Sequence, residues 1–334
     1  MIASVAFRNF KALRSTSLRL SPFNLVIGPN GSGKSSLIQA VLRLRSAARS
    51  GQGKPGQGGL PLIGGPSVTF RFTSPNEAVE AEIFHQAGRA GDSLRVASES
   101  PAAWEEVKAG LGRARAFLFD HEAMALPAPR SQGSELAANG ANLAAVLAHR
   151  RESDPKAYAR LEAEALRLLP EFTGLMLRDA PGGTVELAGD FGEGEGSVSA
   201  ENLAQGSLYT LALLTLVSDP SPPSIVCIEE IDRGIHPRML REIRDALYRL
   251  SYPEQFGEPH PPVQVIATGY SPYLLDLFRD HPDEVVIAQK EGREARFEHL
   301  SDRGDLAKLL REGSLGDLWY SGILGGVPEE KHPR

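Results

Sequence analysis

Apolar residues along this chain fall into short runs of two kinds. Near the N-terminus and again between 68 and 97 they alternate with polar ones, which predicts half-exposed strands at 2–7, 18–20, 68–72, 78–85 and 94–97. The first two are expected to pair. In the later chain the runs are nearly continuous. They predict buried strands at Ile225–Ile228, 263–268 and 285–288, separated by helical stretches at 208–217, 237–250 and 272–278. A further buried strand, Phe23–Ile27, stands alone near the N-terminus and leads into a helix that begins near Lys34. Between these zones lie a short helix at 101–111, a strand at 116–119, and a helical pattern at 142–169 broken at Asp154-Pro155. A hairpin is expected around Pro181-Gly-Gly183. Strand and helix alternating, with near-continuous apolar strands, predicts an α/β fold whose mainly parallel sheet is covered by helices on both faces. The sheet must be assembled from both ends of the chain, with 68–200 inserted between.

The turn after Phe23–Ile27 carries the first chemistry. It reads Gly28-Pro29-Asn30-Gly31-Ser32-Gly33-Lys34-Ser35-Ser36, the phosphate-binding loop G-x-x-x-x-G-K-[ST] in its required strand–loop–helix setting. Glycines at 28, 31 and 33 let the backbone curl so that several N–H groups point at phosphate oxygens. Lys34 supplies a point charge for the β- and γ-phosphates, and Ser35 offers a hydroxyl to Mg²⁺. The helix start aims its positive end at the same anion. A nucleoside triphosphate is the expected ligand.

The strand Ile225–Ile228 ends in Glu229-Glu230. In phosphate-loop enzymes such a strand ends beside the loop, which assigns Glu229 to the metal and Glu230 to the attacking water. These acids lie about 195 residues after Lys34, further than in compact GTPases. Just before them, Leu203-Ala204-Gln205-Gly206-Ser207 leads into a helix, and a glycine with a small hydroxyl at a helix start makes a second phosphate site. A triphosphate already wrapped by the loop of its own chain leaves this segment to serve one bound by another subunit. There is no Asn-Lys-x-Asp guanine-reading motif, so ATP is expected over GTP.

Together these motifs resemble the ATP-binding-cassette heads of the RecF and structural-maintenance-of-chromosomes (SMC) class, and more closely the standalone OLD-type ATPases of bacterial defence modules. Arg8-Asn-Phe-Lys-Ala-Leu13 is similar to the family's opening strand. Asn139-Gly-Ala-Asn-Leu-Ala-Ala-Val-Leu147 is similar to its middle helix, and Glu229-Glu-Ile-Asp-Arg-Gly-Ile-His-Pro237 to its acid pair and following loop. Leu315-Gly-Asp-Leu-Trp319 with Gly322 to Gly325 is similar to its tail. The resemblance implies one ATPase domain over 1–334. Its N-terminal lobe (1–100) would carry the phosphate loop and an antiparallel sheet. A variable helical subdomain would occupy 101–200, and a C-terminal lobe (201–334) the signature, the acids and the switch strand. It also implies an ATP-dependent homodimer, with Ala204–Ser207 of one subunit facing the nucleotide of the other, and a separately encoded effector, a nuclease or other toxic effector in anti-phage defence. Three departures stand out. Ala204 replaces the signature serine, leaving Gly206 and Ser207 to face the partner's phosphate. Glu229 stands where many relatives carry aspartate. In Ala267-Thr-Gly-Tyr-Ser-Pro272, Tyr270 replaces the switch histidine. A phenol donates one hydrogen bond but cannot become a cation near neutral pH, which predicts slow hydrolysis.

Composition narrows the setting. A net charge of −6 gives no support for a DNA-binding surface, and this lowers the RecF-like repair reading. A membrane-transporter motor would need a glutamine loop, which is missing. The single cysteine, Cys227, excludes an internal disulfide and fits a cytoplasmic location. The N-terminus lacks the layout of a signal peptide, and the longest near-apolar run, 208–217, is too short to span a bilayer. Remaining polar clusters read as structural: Asp120-His-Glu122 as a surface turn rather than a metal site, Lys11 and Arg14 as a solvated face, Lys54 and residues 50–59 as a mobile loop. His236 is equally a helix-start residue or part of a loop crossing to a second subunit.

Overall fold

A computed structural model of the chain describes residues 1–51, 64–86, 91–194 and 196–326. The loop expected at 50–59, with Lys54, lies outside the described residues except for 50 and 51. The chain forms two compact units, one of Met1–Ala116, Pro223–Ile231 and Pro262–Arg334, the other of Phe117–Pro222 and Asp232–Pro261.

The first unit is built on an eleven-stranded sheet. Its strands are β1 (Ile2–Phe10), β2 (Leu13–Arg19), β3 (Phe23–Ile27), β4 (Ser67–Phe72), β5 (Glu80–His85), β6 (Asp92–Ala97), β7 (Arg115–Phe117), β8 (Ile225–Ile228), β9 (Gln264–Gly269), β10 (Val285–Glu291) and β11 (Glu294–His299). Their spatial order is β6-β5-β4-β1-β2-β11-β10-β3-β9-β8-β7. The alternating sequences pair antiparallel, with β1 between β2 and β4 and Ser4 opposite Arg19. The continuous apolar runs pair parallel: β3 lies between β10 and β9, and β9 beside β8. β3, β8 and β9 are buried at every position, as parallel strands covered on both faces must be.

The sequence reading expected a parallel sheet with a separate antiparallel one. The structure joins them into one mixed sheet through the hairpin of β10 and β11. β11 is hard to read from sequence, because the alternation of Ala295, Phe297 and His299 is short and follows a turn at Gly292. One buried amide ties the halves together, and a second braces two parallel strands. Gln264 on β9 accepts from Ile2 N (2.9 Å) and donates to Ile2 O (2.8 Å), while Asn24 on β3 donates to Val265 O (3.0 Å). Each would be costly to bury without these partners.

One sheet face is covered by α1 (Lys34–Arg49) and α2 (Pro101–Gly112). Ser100 caps α2, accepting from Ala103 N, and Pro101 occupies the first helical position, where its missing N–H costs nothing. Trp104 on α2 is 2% exposed and packs in one apolar cluster with Leu37, Val41, Phe70 and Val96. Cys227 on β8 is fully buried, and desolvation followed by the nearby Glu229 charge pushes its thiol up to about 12. It stays a neutral, unreactive core group near neutral pH.

The second unit holds α3 (Leu143–Ser153), α4 (Pro155–Leu168), α5 (Gln205–Val217) and α6 (Pro237–Ser251), with a hairpin of Gly174–Ala180 and Thr184–Asp190. The break expected at Asp154-Pro155 is a cap: the Asp154 carboxylate accepts from Ala157 N at 3.0 Å. α5 is apolar on all sides and buried from Ser207 to Leu216, the pattern of a central helix. The Arg150 guanidinium donates to Thr215 O at 2.5 Å and pairs with Asp219; burial lowers its pKa and Asp219 partly offsets this. Among the described residues, no helix is long and apolar enough to cross a membrane.

Removing the largest fully buried side chain of the first unit tests the core. Trp104→Ala is expected to cost about 3–5 kcal/mol, read as a lower urea midpoint in denaturation followed by circular dichroism.

Candidate functional site

The phosphate loop emerges from β3 and is shaped by close packing. A Cβ added to Gly28 would lie 2.1 Å from the Ala288 carbonyl oxygen on β10, so only glycine lets the chain leave the strand there. Gly33, at φ 94°, is the left-handed residue that starts α1. The Lys34 side chain is 5% exposed, and its ammonium donates to the carbonyls of Gly28 (2.7 Å) and Pro29 (2.9 Å). Ser32 Oγ is buried in the loop with no hydrogen-bond partner. An orphan hydroxyl among inward-turned N–H groups fits a phosphate oxygen.

The acids at the end of β8 meet the loop. Ser35 Oγ donates to Glu229 Oε2, which brings a hydroxyl and a carboxylate together as a magnesium ion requires. Among the described residues no cluster of three His, Cys, Asp or Glu side chains could hold a metal by itself. Such an ion would therefore take its remaining ligands from phosphate and water. Glu230 has φ 54°, a left-handed value that costs a non-glycine residue about 1–3 kcal/mol. Thr268 on β9 holds it there: its hydroxyl accepts from Glu230 N (3.1 Å) and its carbonyl from Ile231 N (2.9 Å). The sequence places Thr268 at the end of a strand, but not its hold on the acid turn. The signal is a hydroxyl residue near the end of a strand buried at every position.

Tyr270 follows β9. Its hydroxyl donates to Asn30 Oδ1 at 2.8 Å, and its ring lies 4.2 Å from the Lys34 ammonium. The structure brings the loop Gly28, Pro29, Asn30, Gly31, Ser32, Gly33, Lys34, Ser35 and Ser36 together with Glu229 and Tyr270, with Glu230 on the adjoining turn.

In the second unit, α5 begins at Gln205, three residues earlier than expected, which puts Gly206 and Ser207 inside its first turn. Ser207 is 5% exposed, and its hydroxyl donates to Glu171 Oε1 at 3.3 Å. The side chain expected to face a partner is thus turned inward. The outward part of this helix start is Ala204 with the backbone of Gln205 and Gly206. A Cβ on Gly206 would stand 2.5 Å from Gly234 O, so the helix start and the loop after the acids pack without space between them. His236 caps α6, its Nδ1 accepting from Arg238 N at 3.3 Å. Asp120 caps the short helix His121–Ala125, its carboxylate accepting from Glu122 N at 3.0 Å.

A protein-family model described as "AAA domain, putative AbiEii toxin, Type IV TA system" matches residues 23–276, from the strand before the phosphate loop to the helix after Tyr270. The chain belongs to this family. No curated protein matches its sequence. Among solved structures, it resembles an SMC head bound to the C-terminal winged-helix domain of ScpA, with a TM-score of 0.60 and 14% identity over 89% of this chain and 97% of that one. An SMC head with an extended coiled coil, bound to the C-terminal domain of ScpA and derived from Pyrococcus furiosus, gives 0.57 at 13% identity over 93% and 99%. The SMC head domain from Thermotoga maritima gives 0.50 at 14% identity over 89% and 98%. The fold is that of an ABC-type ATPase head of this class.

Replacing Thr268 by valine leaves the Glu230 N–H without its acceptor while keeping the strand's shape. Thr268→Val is expected to reduce ATP turnover on the order of tenfold to a hundredfold, with nucleotide affinity retained, measured by phosphate release and calorimetric titration.

Proposed function

We propose that this protein is an ATP-driven dimerisation switch. ATP with Mg²⁺ would occupy the phosphate loop, held by the backbone of Gly28–Ser36 and by Lys34. Ser35 and Glu229 would hold the ion, which supplies charge neutralisation at the phosphates. Glu230, fixed by Thr268, would orient and deprotonate the attacking water. The observation that carries this reading is the meeting of Ser35 with Glu229 beside a loop whose buried Ser32 hydroxyl has no partner.

The start of α5 supports a second copy as the partner. Ala204 and the N–H groups of Gln205 and Gly206 form a helix N-terminus of the kind that stabilises an anion. Two chains facing each other would each complete the other's site, so ATP closes the pair and hydrolysis releases it. Glu230→Gln blocks the second step. This variant is expected to double in mass on adding ATP-Mg²⁺ in light-scattering chromatography; a mass that stays monomeric would refute the switch.

Tyr270 sets the expected pace. Its ring lies over Lys34 and its hydroxyl bonds Asn30; where the resemblance implies a switch histidine, a neutral phenol would give less stabilisation to developing charge than an imidazolium. Wild-type turnover is expected below about one per second, and Tyr270→His is expected to hydrolyse ATP several-fold faster. A rapid wild type, or a histidine variant no faster than it, contradicts this.

A separately encoded effector completes the proposal: a nuclease or other toxic protein in anti-phage defence. The family's description names a toxin–antitoxin system, and two of the similar SMC heads are bound to a domain of another protein, ScpA. Co-purification with the products of neighbouring genes tests this. ATP-stimulated DNA binding that weakens steeply with salt would favour a RecF-like role instead.

A further inference from the structure

Lys290 lies outside every recognised motif, yet the sheet brings it to the phosphate loop. β10 runs parallel to β3 with Val285, Val286 and Ile287 beside Leu25, Val26 and Ile27. Beyond Ile27 the loop begins, and β10 continues alongside it. Ala288 O sits against Gly28, and a Cβ on Gly31 would stand 3.3 Å from Lys290 Nζ. Side chains alternate along the strand, so Lys290 shares the face of Val286 and Ala288, which pack in the cluster with Leu13 and Leu37. It is opposite Ala295, which in turn is opposite Leu13, and a Cβ on Gly33 would stand 2.8 Å from Leu13 Cδ2. Lys290 thus ends an apolar face that abuts the loop, with its ammonium exposed there. Among the described residues it has no ion pair or hydrogen bond.

From this placement the geometry points to Lys290 as a second phosphate-binding cation, one that engages the inner phosphates of the nucleotide. The inference rests on the proposed reading of the loop as a triphosphate site. β9 and β10 flank β3 on opposite sides. Tyr270 and Thr268 come from the β9 side, with β8 and its acids beyond, which is where hydrolysis would take place. Lys290 comes from the other flank, beside Gly31 and away from those acids, which leaves the inner phosphates as the ones it would meet. A charge there binds ATP and ADP alike and leaves the hydrolytic groups untouched.

The test titrates ATP and ADP into wild-type protein, Lys290→Ala, Lys290→Arg and Lys34→Ala by calorimetry, and records the melting temperature of each with and without nucleotide. The alanine variant is expected to weaken ATP and ADP equally, by about tenfold, with the nucleotide-free melting temperature unaltered. Lys290→Arg is expected to restore affinity. Unchanged affinity for both nucleotides, or a loss confined to ATP, would overturn the assignment. So would a fall in nucleotide-free melting temperature with the nucleotide-induced rise intact. Wild-type protein that binds neither nucleotide would overturn the triphosphate reading itself, and Lys290 with it.

Discussion

The contact between the start of the phosphate loop and the neighbouring strand is the constraint from which the rest of the first unit follows. With 2.1 Å between the Ala288 oxygen and any Cβ at residue 28, the loop and β10 exclude every side chain but hydrogen. Overpacking at such a point is relieved only by moving backbone. β10 is fixed by its pairing with β3 and β11, and β11 touches β2, so the loop is gauged against both the parallel and the antiparallel halves of the sheet. The loop's curvature is thus a property of the whole sheet. The local glycines permit it, and the strand order imposes it.

A similar logic governs the acid turn. Two bonds to one threonine hold Glu230 in a conformation that a free chain would avoid. Strain of this kind persists where the surroundings over-determine it. Here the surroundings are a fully buried strand, so the carboxylate's direction is set by the same core that sets the loop. In the second unit, Gly206 against Gly234 couples the start of α5 to the loop ahead of α6 with equal economy of space.

Much of this was legible from residue order alone. The spacing of glycines, the apolar run before Glu229 and the break at Asp154-Pro155 each encode a local geometry, and β3 and β8 have the bounds their apolar runs imply. Features that depend on pairing between distant residues were not legible. Nothing local shows that Lys290 ends beside Gly31, that Thr268 supports Glu230, or that Glu171 draws Ser207 inward. The joining of the two sheet halves belongs to the same class, since β11 is short and its inward residues, Ala295 and Phe297, find their partners far away in sequence. Register across a sheet is decided by the core as a whole.

The burial of Cys227 has a practical side. As the chain's only cysteine, locked in β8 with its thiol held protonated, it leaves the solvent-facing surface free of thiols. A cysteine introduced at any exposed position becomes a unique attachment point without first mutating the core. Spin labels or fluorophores placed singly on each unit would then report distances within and between copies in solution, on a protein whose interior chemistry stays as it was.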